Sequence, residues 1–410
     1  MSAQTDSTSV TMGISHPGAL KFIVLLGVVS LLADMTYEGA RSVTGPYLAL
    51  LGASGLVVGI IAGLGELMGY ALRLGSGYLA DRTGRYWAIT ILGYLLNLFA
   101  VPLLALAGNW ELAAALMIAE RVGKAIRTPA RDAMLSHATK QVGHGWGFGL
   151  HEALDQAGAV LGPLVVAAVL SSGAGYRAGF GTLLVPALLA LAVLMAAQRQ
   201  YPHPRDLELE TEETLADGRS FPRAFWIYLA AAAAIAAGYA DFPLIAYHFS
   251  KANIISAAWI PVLYAVAMGV DALAALAFGR LFDRLGLMVL VASTLLSAPF
   301  ALLVFRGGFG SALLGTALWG IGMGAQESIL RAAIARMVHA DRRGSAYGLF
   351  NAAYGAAWFL GSALMGYLYD VSIGGLIAFS IGAQLVAIPL FLGVAEPLHL
   401  RHRSRRGSSL

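Results

Sequence analysis

Gly77-Tyr78-Leu79-Ala80-Asp81-Arg82-Thr83-Gly84-Arg85 is the stretch that decides how this chain is organised, because it occurs twice. Gly279-Arg280-Leu281-Phe282-Asp283-Arg284-Leu285-Gly286 repeats it in degenerate form about 200 residues later. Two further pairs keep the same shift: Gly149-Leu150 with Gly348-Leu349, and Gly162 with Gly361. A fixed shift over three separate places means that one half of the chain is a copy of the other. Each copy of the first motif ends an apolar run, with a glycine for close helix contact and arginines at the exit.

The composition says what surrounds these copies. Hydrophobic residues make up 58% of the 410 residues and charged ones only 12%, and the mean hydropathy is +0.71. Soluble domains carry about 25% charged residues, so the apolar surplus needs a bilayer to cover it. Apolar segments of spanning length fall at 19–49, 54–80, 86–107, 110–137, 145–171, 177–198, 223–249, 256–282, 286–305, 309–338, 345–369 and 374–395. They divide six and six around one long polar stretch. The expected organisation is a tail at 1–18, a half at 19–198, a linker at 199–222, a half at 223–396 and a basic tail at 397–410. The linker is acidic (Asp206, Glu208, Glu210, Glu212, Glu213, Asp217) and reads as solvated chain.

Orientation follows from the bases. One set of breaks holds Arg82 and Arg85, Lys140, Arg199, Arg205, Arg219, Arg223, Arg284, Arg342 and Arg343, with four more arginines in the tail. The other set holds only Arg177, Lys251 and Arg306. The positive-inside rule then places both termini in the cytoplasm. No cleavable signal peptide is expected in Ser2 to His16, and the absence of cysteine excludes disulfides and thiolate metal sites.

Charges inside the spans are expensive unless they pair or face water, and are read as functional by default. Span 1 carries Asp34, Tyr37, Glu38 and Arg41 on one helical face, and span 2 carries Glu66, Tyr70 and Arg73. In span 4, Glu120, Lys124, Arg127 and Arg131 share a stripe, with Arg121 beside it. Span 5 begins with His151, Glu152 and Asp155. The second half is sparser: Asp241 and His248 in span 7, Asp271 below Tyr264 in span 8, Gln326, Glu327 and Arg331 in span 10, and Asn351, Tyr354 and Trp358 in span 11. One reading of this set is a salt-bridge network that fixes helix register. Buried ion pairs stabilise poorly compared with apolar packing, which favours a proton-coupled cavity instead. Proton-coupling candidates are Asp34, Glu38, Glu66, Glu120 and Asp155. Substrate-cavity candidates are Tyr37, Arg41, Arg121, Lys124, Arg127, His151, Glu152, Asp241, Asp271, Gln326, Glu327, Asn351 and Tyr354. No metal-ligand cluster, nucleotide loop or catalytic pair is present, so neither a metal, a cofactor, an enzyme activity nor a nucleic-acid partner is expected.

The Gly-x-Leu-Ala-Asp-Arg-x-Gly-Arg loop, its second copy and the 6+6 layout resemble the major facilitator superfamily over about residues 19 to 395. The resemblance implies an all-α polytopic fold of twelve transmembrane helices in two pseudo-symmetric halves, with alternating access to a site between them. Gly77, Asp81, Arg82, Gly84 and Arg85, with Asp283 and Arg284, would form its gating motif. Tyr86 stands where the family usually has another base. Arg121 matches the basic motif of the fourth helix, with Lys124-Ala125 replacing the usual Gln-Gly. Gly158 through Gly162 and Pro163 resemble the fifth-helix signature of proton-driven exporters, although Leu164 and Val165 replace its final glycines. The Gly-Lys-Ala-Ile-Arg-Thr-Pro-Ala-Arg-Asp run from Gly123 to Asp132 is similar to a bacterial subgroup.

The expected function is secondary transport of a small solute across the bacterial inner membrane, coupled to protons and directed outward as drug or metabolite antiport. Proton-coupled uptake of an organic anion is the alternative transport reading, and a non-transporting membrane receptor or scaffold the alternative outside transport. Expected partners are the small-molecule substrate, protons and the lipid bilayer, with the protein acting as a monomer.

Overall fold

A computed structural model describes residues 16–142, 144–202, 221–338 and 342–406. Most of the expected linker (203–220), most of the first tail (1–15) and the last residues (407–410) lie outside the described residues. The helices are α1 (His16–Leu50), α2 (Gly55–Thr83), α3 (Tyr86–Leu103), α4 (Trp110–Val142), α5 (His144–Ser171), α6 (Gly175–Thr182) and α7 (Leu184–Gln200) in the first half. The second half holds α8 (Arg223–Gly238), α9 (Phe242–Lys251), α10 (Trp259–Leu285), α11 (Met288–Ser297), α12 (Phe300–Arg306), α13 (Phe309–Met337), α14 (Arg343–Val371) and α15 (Ile373–Arg406). There is no strand among the described residues.

Twelve crossings result. Among the described residues, nine are long and apolar enough to cross a membrane by length and composition. The remaining three are α4, α13 and α14, and these carry Glu120 to Arg131, Glu327 with Arg331, and Asn351 with Tyr354. Their apolar content is diluted because they turn polar faces toward other helices rather than lipid.

Three crossings that the sequence reading expects as unbroken spans, 177–198, 223–249 and 286–305, are each two helices. Proline explains all three breaks, because it donates no N–H and its ring collides with the preceding turn. Pro186 lies in the first turn of α7, Pro243 in the first turn of α9, and Pro299 caps α12. Pro129 and Pro163 sit within the uninterrupted α4 and α5. α15 also continues past the expected span end at 395, through Arg406.

Within each half, glycines let helix backbones touch, as membrane packing favours. Gly158 and Gly162 of α5 lie against the backbone of Leu31 and Met35 in α1, and a Cβ on Gly162 would stand 2.8 Å from Met35 Cα. The repeat partner Gly361 of α14 makes the same approach to the backbone of Ala237 in α8. The internal repeat is thus a repeat of helix pairs, α1 with α5 and α8 with α14.

Between the halves, α2 packs on α14 and α5 on α10. At the end opposite the Asp81 loop this contact is sealed. The Asp370 carboxylate of α14 accepts the backbone N–H groups of Gly55 and Leu56, at 2.9 and 2.8 Å, in the first turn of α2. Tyr247 Oη donates to the Ala53 carbonyl at 3.0 Å, and Lys251 Nζ donates to Tyr247 at 2.8 Å. At the end that carries the Asp81 loop, a cavity of about 540 Å³ separates the halves.

Candidate functional site

The charged face of α1 lies between the two halves, and two of its charges, Glu38 and Arg41, are shared with other helices. Arg41 Nη2 is 2.8 Å from Glu66 Oε1 of α2 and 3.7 Å from Asp241 Oδ1 of the other half. Glu66 also meets Arg121 at 3.4 Å, and Arg121 meets Glu120 at 3.4 Å. Glu120 then accepts from Asn97 Nδ2 of α3 at 2.8 Å. Acid and base alternate from α4 through α2 and α1 into the second half. A second, shorter link crosses beside it: Lys124 Nζ is 3.7 Å from Glu38 Oε1, and Tyr264 Oη of α10 donates to Glu38 Oε2 at 2.5 Å. Buried charges need such partners, since each isolated ion at membrane depth costs at least about 2.5 kcal/mol.

Asp241 sits where the seventh crossing breaks, at the N-terminus of α9. Trp358 Nε1 and Ser362 Oγ of α14 donate to it at 3.0 and 2.5 Å. Asp34 is held differently, accepting from Tyr37 Oη one turn along α1, and it lies beside Gly158 of α5. Asp34 and Glu38 therefore do not share a proton donor: one looks toward α5, the other toward α4 and α10.

The cavity toward the Asp81 loop is bounded by α1, α2, α4, α5 and α13, with Arg73, Lys124, Arg131, Asp132, His151, Glu152, Asp155 and Arg331 on its walls. Arg131 is tied to Asp132 at 2.8 Å and to Ser30 Oγ at 3.0 Å, and Ser30 also meets His151 Nε2 at 3.0 Å. Lys124 lies 3.9 Å from the centre of the Tyr37 ring. The stripe on α4 is divided between its neighbours. Glu120 and Arg127 turn to α3, whereas Lys124 and Arg131 face α1 and the cavity. Arg127 is fully buried, donates to Tyr94 Oη at 3.0 Å and lies 4.3 Å from that ring's centre. It is absent from the cavity wall because Gly93 and Gly123 bring α3 and α4 into backbone contact.

In the second half, Tyr354 donates to Gln326 at 2.8 Å and meets Tyr70 edge-on across the α2–α14 contact. Asn351 and Asp271 each keep a buried oxygen without a hydrogen-bond partner, and Asp271 is only 2% exposed. Glu327 and Arg331 form no ion pair with each other, and Glu327 is exposed. His248 meets Tyr369 at 3.1 Å near the sealed end. Among the described residues no cluster of His, Asp or Glu could hold a metal ion.

The repeated loop lies at the open end. Gly84 closes α2 in the left-handed region at φ 64°, which glycine adopts without strain. Asp81 accepts from Tyr86 Oη at 3.1 Å, and Arg82, Arg85, Asp283 and Arg284 are exposed. Gly77 faces Pro129 of α4. Sequence reasoning missed Asn97, Ser30, Ser362 and Asp370. The first three are polar residues within apolar runs, a signal that was there to use. Asp370 has no such signal, since it stands at a helix end.

A family model described as Major Facilitator Superfamily matches residues 26–287 and 224–409. An uncharacterised protein of Mycobacterium tuberculosis is 45% identical over 405 residues, covering 97% of this chain and 99% of its own. An uncharacterised MFS-type transporter of Methanocaldococcus jannaschii is 35% identical over 142 residues, 35% of either chain. Among solved structures, the peptide transporter POT superposes with a TM-score of 0.73 at 16% identity, covering 92% of this chain and 94% of its own. The nucleoside transporter NupG does so with 0.69 at 14% identity, covering 92% and 99%. At these identities the likeness is one of fold.

Proposed function

The chain belongs to the major facilitator superfamily, and from that premise we propose that it is a proton-coupled secondary transporter exporting a small solute across the bacterial inner membrane, with both termini in the cytoplasm. That it is a membrane transporter and not an enzyme follows from the family; coupling, direction and orientation are our reading. The observation that carries the coupling is the double bonding of Glu38 and Arg41. Each has one partner in its own half, Lys124 and Glu66, and one in the other, Tyr264 and Asp241.

Alternating access requires contacts that hold the halves in one arrangement and release them in another. A proton on Glu38 removes the negative charge that Lys124 and Tyr264 share. A proton on Asp241 likewise removes its attraction for Arg41. Either event weakens a cross-half contact at the middle of the membrane, where low dielectric makes it strong. Outward direction is supported by the fifth-helix signature, whose Gly158 and Gly162 seat α5 directly on the span that carries Asp34 and Glu38.

The test is transport in proteoliposomes with an imposed pH gradient, screening cationic dyes, dipeptides, nucleosides and organic anions. Glu38→Gln should abolish gradient-driven accumulation while passive exchange of the same solute persists. Accumulation with a normal pH profile in both Glu38→Gln and Asp241→Asn would show that these carboxylates are structural.

A further inference from the structure

Charges that cancel within the protein offer a ligand little, so the informative groups on the cavity wall are those left over. Arg131 is occupied by Asp132 and Ser30, and Lys124 by Glu38 and the Tyr37 ring. Arg73 of α2 and Arg331 of α13 form no ion pair among the described residues, although both line the cavity. Arg73 rests 5.5 Å from the Tyr70 ring centre, and its Nε is buried with no acceptor. Each half supplies one of these arginines, and both stand on the wall of the one cavity. Two cations on the wall of one cavity repel, and an anion between them relieves that repulsion.

The wall formed by α5 is the opposite. Glu152 is exposed to the cavity, and among the described residues it accepts a hydrogen bond only from the neutral Gln156, at 3.4 Å. Asp155, one turn along, has a buried Oδ1 with no donor. Phe148 supplies apolar surface on the same wall, and Leu135 of α4 adjoins it. The volume of about 540 Å³ falls within the range of small-molecule sites.

We propose that this cavity takes an amphoteric solute, whose anionic group lies between Arg73 and Arg331 and whose cationic group lies against Glu152 and Asp155. This deepens the transporter reading above and rests on it. A solute with only one of the two charges leaves the opposite wall uncompensated in a low-dielectric space, which is the basis of discrimination. Because the arginines belong to different halves, the anionic group also draws the halves together at the open end, linking occupancy to closure.

Equilibrium binding to the purified full-length protein in nanodiscs tests this without a proton gradient, so a failure of proton coupling would leave its result unaffected. The probes come in matched sets: carnitine with choline and 3-hydroxybutyrate, alanyl-alanine with its amide and its N-acetyl form, and phosphocholine with choline and inorganic phosphate. At least one amphoteric probe should bind roughly tenfold or more tightly than either single-charge counterpart. Arg331→Gln and Glu152→Gln should each weaken that probe by roughly tenfold, and Arg331→Gln should leave the cation-only probe unchanged. Ligand-free melting checks the fold of each variant, with Arg73→Gln in reserve for Arg331→Gln. The proposal is overturned if a single-charge probe matches its amphoteric counterpart, if no amphoteric probe binds, or if the variants bind as the parent does.

Discussion

The seal opposite the Asp81 loop rests heavily on one residue, and Asp370→Ala measures how heavily. Asp370 belongs to α14, yet its two oxygens accept the N–H groups of Gly55 and Leu56 at the start of α2, in the other half. These donors are otherwise unsatisfied, because the first N–H groups of a helix have no intrahelical partner. The carboxylate also sits at the positive end of the helix dipole. A hydrogen bond to a charged group contributes about 1.5–3 kcal/mol when buried, but Asp370 is exposed and solvent competes for both donors. Discounted for that screening, the pair is worth about 1–2 kcal/mol. All of it is lost when the halves separate at this end, so the sealed-to-open ratio should fall about 5- to 30-fold. Asp370→Asn, which keeps an acceptor but not the charge, should fall between. The chain has no cysteine, so spin labels can be placed at will on Leu106 and Trp259, which are 75% and 51% exposed at this end of the two halves. Pulsed electron resonance distances should show a longer, more populated component in Asp370→Ala. If a well-folded Asp370→Ala gives the parent distribution, the carboxylate does not hold the seal.

Two further expectations follow from packing and charge. Gly162→Leu should destabilise the α1–α5 pair by about 1–3 kcal/mol or more, because its side chain meets Met35 backbone, whereas Gly382→Ala, with nothing within 4 Å, should melt like the parent; equal melting of the two would contradict the helix contact. Thr83→Cys, at the exposed last residue of α2, should resist an impermeant thiol reagent in intact cells and react in inverted vesicles, and the reverse pattern would place the termini outside.

Sequence by itself determined the twelve crossings, the two halves and the family, because each rests on short-range chemistry. A bilayer demands about twenty apolar residues per crossing wherever they fall, and the repeat of Gly77 to Arg85 is written in the chain itself. The charged residues of the interior were legible for the same reason: ions in apolar runs are conspicuous. Their partners were not. Asp34 and Glu38 are one turn apart and read as a pair, yet Glu38 is bound by Tyr264, 226 residues away, and Asp34 by Tyr37. Arg127 shares a stripe with Lys124, yet it is packed against Tyr94 and absent from the cavity wall. Helical periodicity fixes the direction in which a side chain leaves its own helix, but not which neighbour stands there. That depends on the close approaches at Gly93 and Gly123 and at Gly158 and Gly162, and on how the two halves meet. Only the tertiary structure decided that Asp370 caps a helix of the other half, and that Arg73 and Arg331 line one cavity without an ion pair among the described residues. Long-range electrostatics is a property of the assembled halves, and no local pattern encodes it.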